Sequence, residues 1–117
     1  MSLNNHTIAG HFENREPVVK AIYGAIIKAA KKLGPVSEEA KKTSIHLVRK
    51  SAFAGVATGK TGLILTLKSD SDVASKRIMK RQQTSANRWH VEIKLESPAQ
   101  VDRELVSWLK KAYTLAG

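Results

Sequence analysis

The most regular pattern of hydrophobic and polar residues lies at the C-terminal end of the chain. Apolar and polar side chains alternate from Trp89 to Glu96, which is the period of a strand with one buried face. Ser97 and Pro98 then suit an N-cap and a first helical position, and Gln100 completes a capping box. Further apolar residues follow at helical spacing: Val101, Leu105, Trp108, Leu109 and Ala112. We therefore predict a strand that runs directly into an amphipathic helix.

A second long helix is predicted near the N-terminus, after a short helical turn over residues 7–13. Pro17 suits the first position of this helix, and Gly34-Pro35 provides the usual chemistry of a C-terminal stop. Its apolar stripe consists of Val19, Ile22, Ile26, Ala30 and Leu33. The lysines of this segment lie mostly off that stripe, so we expect one face on a core and the other in solvent.

Three more strands are predicted in the middle of the chain, over residues 43–49, 52–58 and 63–68. The alternation is clearest at Leu63, Leu65 and Leu67. The segments that separate the three strands, Arg49-Lys50-Ser51 and Gly59-Lys60, are of hairpin length. Strands joined by such short segments are antiparallel neighbours.

Two segments show no clear period. Residues 36–42 are predicted to form a polar connection, and residues 69–87 a long loop with at most a short helix. We therefore expect a single α+β domain over residues 1–117, with a four-stranded, mainly antiparallel sheet packed by the N-terminal and C-terminal helices on one face. The expected shared core includes Leu63, Leu65, Trp89, Val91, Ile93, Leu95, Leu105 and Trp108.

The composition changes this picture mainly through its charge. The chain has no cysteine, which excludes disulfides and thiolate metal sites, and its net charge is +10. Residues 35–95 carry twelve basic and five acidic side chains, a net +7, whereas residues 96–117 carry three of each. A localised basic surface indicates an acidic partner such as nucleic acid or another polyanion. No apolar run approaches ~20 residues and no signal-peptide pattern is present, so we expect no membrane partner and a cytoplasmic location.

The basic residues provide the candidate binding site. The main set comes from a stretch without acidic residues in the predicted loop and comprises Lys76, Arg77, Lys80, Arg81 and Arg88. A secondary set at strand ends and turns comprises Lys41, Lys42 and Lys60. Because phosphate contacts need only a lysine or arginine within reach, we predict weak, sequence-independent nucleic-acid binding through this basic loop. Phe53 and Tyr113 are the aromatic residues expected to be exposed, too few for a dedicated single-strand binder.

The segment from Ala54 to Thr61 fits a relaxed phosphate-loop pattern, because it ends in Gly59-Lys60-Thr61. A true phosphate loop follows a buried parallel strand and opens a helix, whose N-terminus holds the phosphates. Here an apolar strand pattern follows instead, from Gly62 to Leu67. We therefore interpret this segment as a hairpin turn rather than a nucleotide site.

The remaining candidate chemistry is sparse. The four histidines, His6, His11, His46 and His90, do not have the spacing of metal ligands, although His46 and His90 are expected to share one sheet face from neighbouring strands. Glu92 lies in the middle of a strand, where pairing with a cross-strand cation is expected. No serine or threonine lies in a nucleophile elbow. We therefore predict no metal site, no cofactor and no catalytic residue, and an enzyme has no positive support.

Two groups of short motifs form a recognisable set. Those in the tail are Trp89-His90, Ser97-Pro98, residues 101–105, residues 108–110 and Ala112-Tyr113. Those nearer the front are His11-Phe12, Glu16-Pro17, residues 21–23 and residues 42–45. Together they resemble a bacterial family of domains of unknown function, whose members stand alone or form the C-terminal module of longer proteins; this family more usually has an aromatic at the position of Ser44. The resemblance implies an α+β domain without an assigned activity. A looser similarity of architecture links it to the small double-wing DNA-binding proteins of bacteria.

Two classes of function remain beside an enzyme. The placement of charge favours a nucleic-acid or polyanion-binding module, and the resemblance favours a protein-interaction or regulatory module with no catalytic activity. One contiguous positive face would indicate the first class, whereas a large apolar patch would indicate the second.

Overall fold

Two helices lie on one face of an antiparallel sheet in the structure, a computed structural model that describes residues 7–73 and 75–117. The helices are α1 (Pro17–Lys31) and α2 (Arg103–Leu115), and short 3-10 turns cover Ala9–Phe12 and Pro98–Gln100. The strands are β1 (Ser37–Ala40), β2 (Ile45–Val48), β3 (Ala52–Thr58), β4 (Leu63–Ser69), β5 (Ile78–Ser85) and β6 (Arg88–Leu95).

The sheet has six strands in the order β1-β2-β3-β4-β6-β5, and each neighbouring pair is antiparallel. The predicted α+β class and the antiparallel sheet are confirmed, but the prediction of four strands is wrong. The two additional strands, β1 and β5, form the two edges of the sheet. Both hairpin joints in the middle of the chain are confirmed, because β2, β3 and β4 pair in succession.

The edge strands lack the alternation that identifies a strand in the sequence. In β5 only Ile78 is buried, and the following seven residues are exposed, so the predicted loop over residues 69–87 contains a strand without an apolar period. β1 is short and polar, and its Glu38 faces the helices, where the Tyr23 hydroxyl donates a hydrogen bond to it. Burial, followed by this hydrogen bond, raises the pKa of Tyr23.

The core joins the apolar stripes of both helices to one face of the sheet. Six of the eight residues expected in the core are buried: Leu63, Leu65, Val91, Ile93, Leu95 and Leu105. Trp89 and Trp108 are instead half-buried. Trp89 is the second residue of β6, at the end of the sheet, and Trp108 packs against the core while partly exposed. The predicted shared core therefore holds for six residues, with Trp108 at its margin.

The C-terminal helix begins later than the capping box suggests. The box is present, with Ser97 and Gln100 each accepting backbone hydrogen bonds, but it caps only the 3-10 turn Pro98–Gln100. The backbone leaves helical geometry at Val101, and the Asp102 carboxylate then accepts a hydrogen bond from the Leu105 N–H at 3.0 Å. Asp102 is therefore the N-cap of α2.

The connection that leaves α1 depends on a glycine. Gly34 has a φ of 149°, and a Cβ atom there would lie 2.4 Å from the Tyr113 hydroxyl oxygen. That hydroxyl donates a hydrogen bond to the Pro35 carbonyl oxygen at 2.9 Å. The chain after α1 is therefore tied to the last turn of α2. Within the described residues, no helix is both long and apolar enough to cross a membrane.

Candidate functional site

The face of the sheet that points away from both helices, here called the open face, holds the site. Residues directly opposite each other in an antiparallel pair share a face, so the register defines rows across the sheet. The first row is Glu39, His46, Gly55, Thr66, Glu92 and Lys80, the second is Lys68, His90 and Gln82, and the third is Ala57, Ile64 and Lys94. These rows bring together polar residues that lie up to about fifty positions apart in the chain.

Cations outnumber anions on this face. Lys80 and Lys94 are exposed and Lys68 is half-buried. The carboxylate in the middle of the face is Glu92, which lies directly opposite Lys80 in the register, but the expected ion pair with a cross-strand cation is not among those of the described residues. At the far edge, Glu39 forms an ion pair of 3.2 Å with Lys41. Three lysines and two histidines thus surround a single carboxylate that has no ion pair among the described residues.

A shallow depression of about 290 Å³ lies in the open face, with small residues at its floor. His46, Lys68 and His90 all line it. A Cβ atom at Gly55 would contact only the His46 ring, at 3.9 Å, so the floor is open above this glycine. The depression therefore places His46, Lys68 and His90 around one concave part of the open face.

Among the described residues, the histidines lie apart from one another. His46 and His90 share the open face as expected, but β3 and β4 lie between them, so they are not on neighbouring strands and stand at least about 14 Å apart by the strand spacing. The His11 ring nitrogen Nε2 lies 2.8 Å from the Lys41 carbonyl oxygen, and His6 lies outside the described residues. Across residues 7–73 and 75–117, no group of three potential ligands is close enough to hold a metal ion.

Arg77, from the main predicted set, lies on the helix side of the sheet. Its Nη1 is 2.9 Å from Asp102 Oδ1 and 3.1 Å from Glu104 Oε1, and its Nη2 donates to the Gln100 carbonyl oxygen at 2.6 Å. The guanidinium also lies 5.7 Å from the centre of the Trp108 ring, within cation–π range. The Leu105 N–H, followed by this guanidinium, lowers the pKa of Asp102.

Arg81 is also engaged inside the molecule. It lies opposite Val91, on the helix side, where its Nε is 2.8 Å from Asp72 Oδ1 and its Nη2 donates to the Val73 carbonyl oxygen at 3.0 Å. Arg88 lies at the β5–β6 hairpin, with its Nη1 2.8 Å from the Asn87 carbonyl oxygen. The main set is therefore spread over both faces and both ends of the sheet.

The other predicted cations lie mainly at the opposite end of the strands from Arg88. Lys41 and Lys42 follow β1, Lys60 lies in the turn between β3 and β4, and Lys76 precedes β5. The structure thus places Lys80 on the open face and these four residues along one rim of the sheet. The sequence prediction missed Lys68, Lys94, His46 and His90 as a group, although their positions in alternating strands identify them as the polar face.

Two other sequence predictions can be compared with the structure. Gly59 N–H donates to the Gly62 carbonyl oxygen at 2.7 Å between antiparallel β3 and β4, so the phosphate-loop-like segment is a hairpin turn, as predicted. Phe53 and Tyr113, expected to be the exposed aromatics, are 1% and 5% exposed and contact each other edge to face. Base stacking on these two rings is therefore excluded.

Comparison with known families places this fold among related sequences. A family described as "Domain of unknown function (DUF5655)" matches residues 8–116. The chain belongs to the DUF5655 family. The match spans both helices and all six strands of the DUF5655 domain, and it confirms the resemblance to a family of unknown function. A search of the curated proteins and a search of the solved structures each gave no significant match.

Proposed function

We propose that the DUF5655 domain binds nucleic acid weakly and without sequence preference, through the open face of its sheet. The observation that carries this proposal is the set of three lysines and two histidines on a sheet face that neither helix covers. Lys68, Lys80 and Lys94 form the centre of the proposed surface, and the cations of the neighbouring rim and hairpin extend it: Lys41, Lys42, Lys60, Lys76 and Arg88. Arg77 and Arg81 are left out because their guanidinium groups make their ion pairs on the helix side of the sheet, away from the open face.

The dimensions and chemistry of the face suit the phosphate backbone rather than the bases. Six strands span roughly 24 Å, and duplex DNA carries one negative charge per ~1.7 Å of axis, so many phosphates lie within reach of the face. Lysine ammonium groups on a sheet surface contact phosphates without reading base edges. With Phe53 and Tyr113 buried, neither of these rings is available for base stacking.

The test is a fluorescence-anisotropy titration of a labelled duplex and a labelled single strand over a series of NaCl concentrations. The open-face variant replaces Lys68, Lys80 and Lys94 with glutamine. The matched control also uses glutamine, in place of Lys20, Lys28 and Lys31. These are exposed residues of α1, so the control removes the same charge from the helix side. Each phosphate contact contributes a slope of about 0.9 to the dependence of log K on log salt, so the open-face variant should lose 2–3 units of slope.

Two results would contradict the proposal. Equal losses in the two triple variants would mean that binding follows net charge and not the open face. Absence of binding to both nucleic acids at low salt would remove nucleic acid as the partner and favour the protein-interaction or regulatory module. Circular dichroism of both variants checks that the fold is retained, because Lys68 Nζ also donates to Ser51 Oγ at 3.3 Å.

A further inference from the structure

A second concave site lies on the helix side of the sheet, between α2 and the segment that follows β4. This cleft, here called the Trp108 cleft, has a volume of about 200 Å³. Leu67, Val91 and Trp108 provide an apolar lining, and Asp72 and Lys111 lie among its polar residues. It combines an aromatic ring, aliphatic side chains and the Lys111 cation in one small space, on the opposite side of the sheet from the open face.

Both walls of the cleft are fixed by arginines. The Arg77 guanidinium lies over the Trp108 ring and is itself held by Asp102 and Glu104. On the opposite wall, Arg81 binds the carboxylate of Asp72 and the carbonyl oxygen of Val73. Because side chains outside the lining hold the walls, the cleft is formed before any ligand enters, which lowers the entropic cost of binding.

The charge around the cleft favours an anion. Lys111 lines it and contributes a positive charge. Lys68 also borders the cleft, but its side chain belongs to the open face. The carboxylate of Asp72 is the acidic group of the lining, and its ion pair with Arg81 balances its charge. A cationic ligand would therefore meet the Lys111 ammonium group without an unpaired carboxylate, whereas an anionic ligand would meet complementary charge.

We propose that the Trp108 cleft binds a small organic anion made of one ring and a carboxylate, with the ring against Trp108 and the carboxylate at Lys111. The size of the cleft fits such a ligand. An apolar cavity of about 150 Å³ accepts benzene. The cleft, at about 200 Å³, has additional room for a small polar group. This proposal does not depend on nucleic-acid binding by the open face.

Benzoate is a suitable probe, and benzylammonium and acetate are the controls for charge and for the ring. The chain has two tryptophans, so the two indole N–H signals in a nitrogen-15 correlation spectrum report on the cleft, with a Trp89→Phe variant to assign them. Benzoate should shift the Trp108 signal saturably, with a Kd near ~1 mM, as expected for a ligand of this size. At constant ionic strength, benzylammonium and acetate should bind at least tenfold more weakly.

The paired variants Lys111→Gln and Lys110→Gln test the role of the cation. Both residues are exposed on α2, but only Lys111 lines the cleft. Lys111→Gln should weaken benzoate binding about fivefold or more through loss of a charge-assisted contact, and Lys110→Gln should leave it unchanged. The proposal is overturned if benzoate gives no saturable shift at concentrations up to about twenty times the expected Kd. It is equally overturned if benzylammonium binds as well as benzoate, or if the two lysine variants behave alike.

Discussion

Individual cations of the basic stretch differ in what they contact, although they are alike in the sequence. Arg77 precedes β5 and Arg81 lies within it, and both make ion pairs on the helix side. Lys80 lies between them and faces outward, opposite Glu92. The partners of Arg77 are 25 and 27 residues away in the chain, so no local pattern predicts the pairing. The planar guanidinium can donate to two acceptors at once, so arginine suits such structural ion pairs better than lysine does.

At this scale we predict that Asp102 supports the fold both as an N-cap and as a charged partner. Asp102→Ala should lower the free energy of unfolding by about 1–2 kcal/mol near pH 7, because a lost cap alone costs ~1 kcal/mol. Asp102→Asn should cost less, because asparagine is also a good N-cap and only the charge is lost. Urea unfolding monitored by circular dichroism measures both variants.

The pH dependence separates the two roles of Asp102. Its pKa is lowered in the folded state, so the stability that its charge contributes is present above about pH 4, the usual aspartate pKa. This contribution is lost as the pH falls through the lower, folded-state value. The difference between wild type and Asp102→Asn should therefore shrink as the pH falls below about 4 and through the lowered, folded-state pKa of Asp102. A difference that is the same at neutral and acidic pH would show that the charge has no part in it.

At the scale of whole elements, the sequence predicts those that bury one face and misses those that do not. β3, β4, β6 and α1 all have buried residues at the period of their structure, and their predicted bounds agree with the observed ones to within two residues. β5 is an edge strand with one buried residue, so it has no apolar period to detect. The open face was missed for a related reason. Its lysines on β4 and β6 come together because β6 pairs with β4, and this pairing between distant segments leaves no local pattern in the sequence.

We predict that a single side chain anchors β5 to the core. Ile78 is 8% exposed, whereas its neighbour Met79 is 54% exposed. Ile78→Ala should reduce the free energy of unfolding by about 2 kcal/mol or more, the lower range for truncation of a buried isoleucine. Met79→Ala, the matched control, should change it by less than about 0.5 kcal/mol. Hydrogen exchange of the β5 amides should accelerate in the first variant only; equal effects of the two substitutions would contradict the placement of this strand.

For the whole molecule, the dominant property is an excess of positive charge on both layers. The open face carries lysines on β4, β5 and β6, and α1 exposes Lys20, Lys28, Lys31 and Lys32 on the opposite side. The sequence correctly indicates a net positive charge. From the sequence, however, we expect the positive charge to be centred in a loop within residues 69–87. The actual distribution depends on which strands are neighbours, which is a property of the complete sheet. Like charges on both sides repel each other across the molecule unless salt screens them.

The last prediction follows from this repulsion. The folded chain measures 42 × 30 × 26 Å, and the Debye length falls from ~30 Å at about 10 mM salt to ~8 Å at about 150 mM. At low salt most pairs of charges therefore interact, and with twenty basic and ten acidic side chains the repulsive pairs prevail. The free energy of unfolding in urea should rise when NaCl is raised over this range. The Lys20, Lys28 and Lys31 triple variant, whose net charge is +7 instead of +10, should show a smaller rise. A loss of stability on adding NaCl would mean instead that the ion pairs of Arg77 and Arg81 outweigh the repulsion.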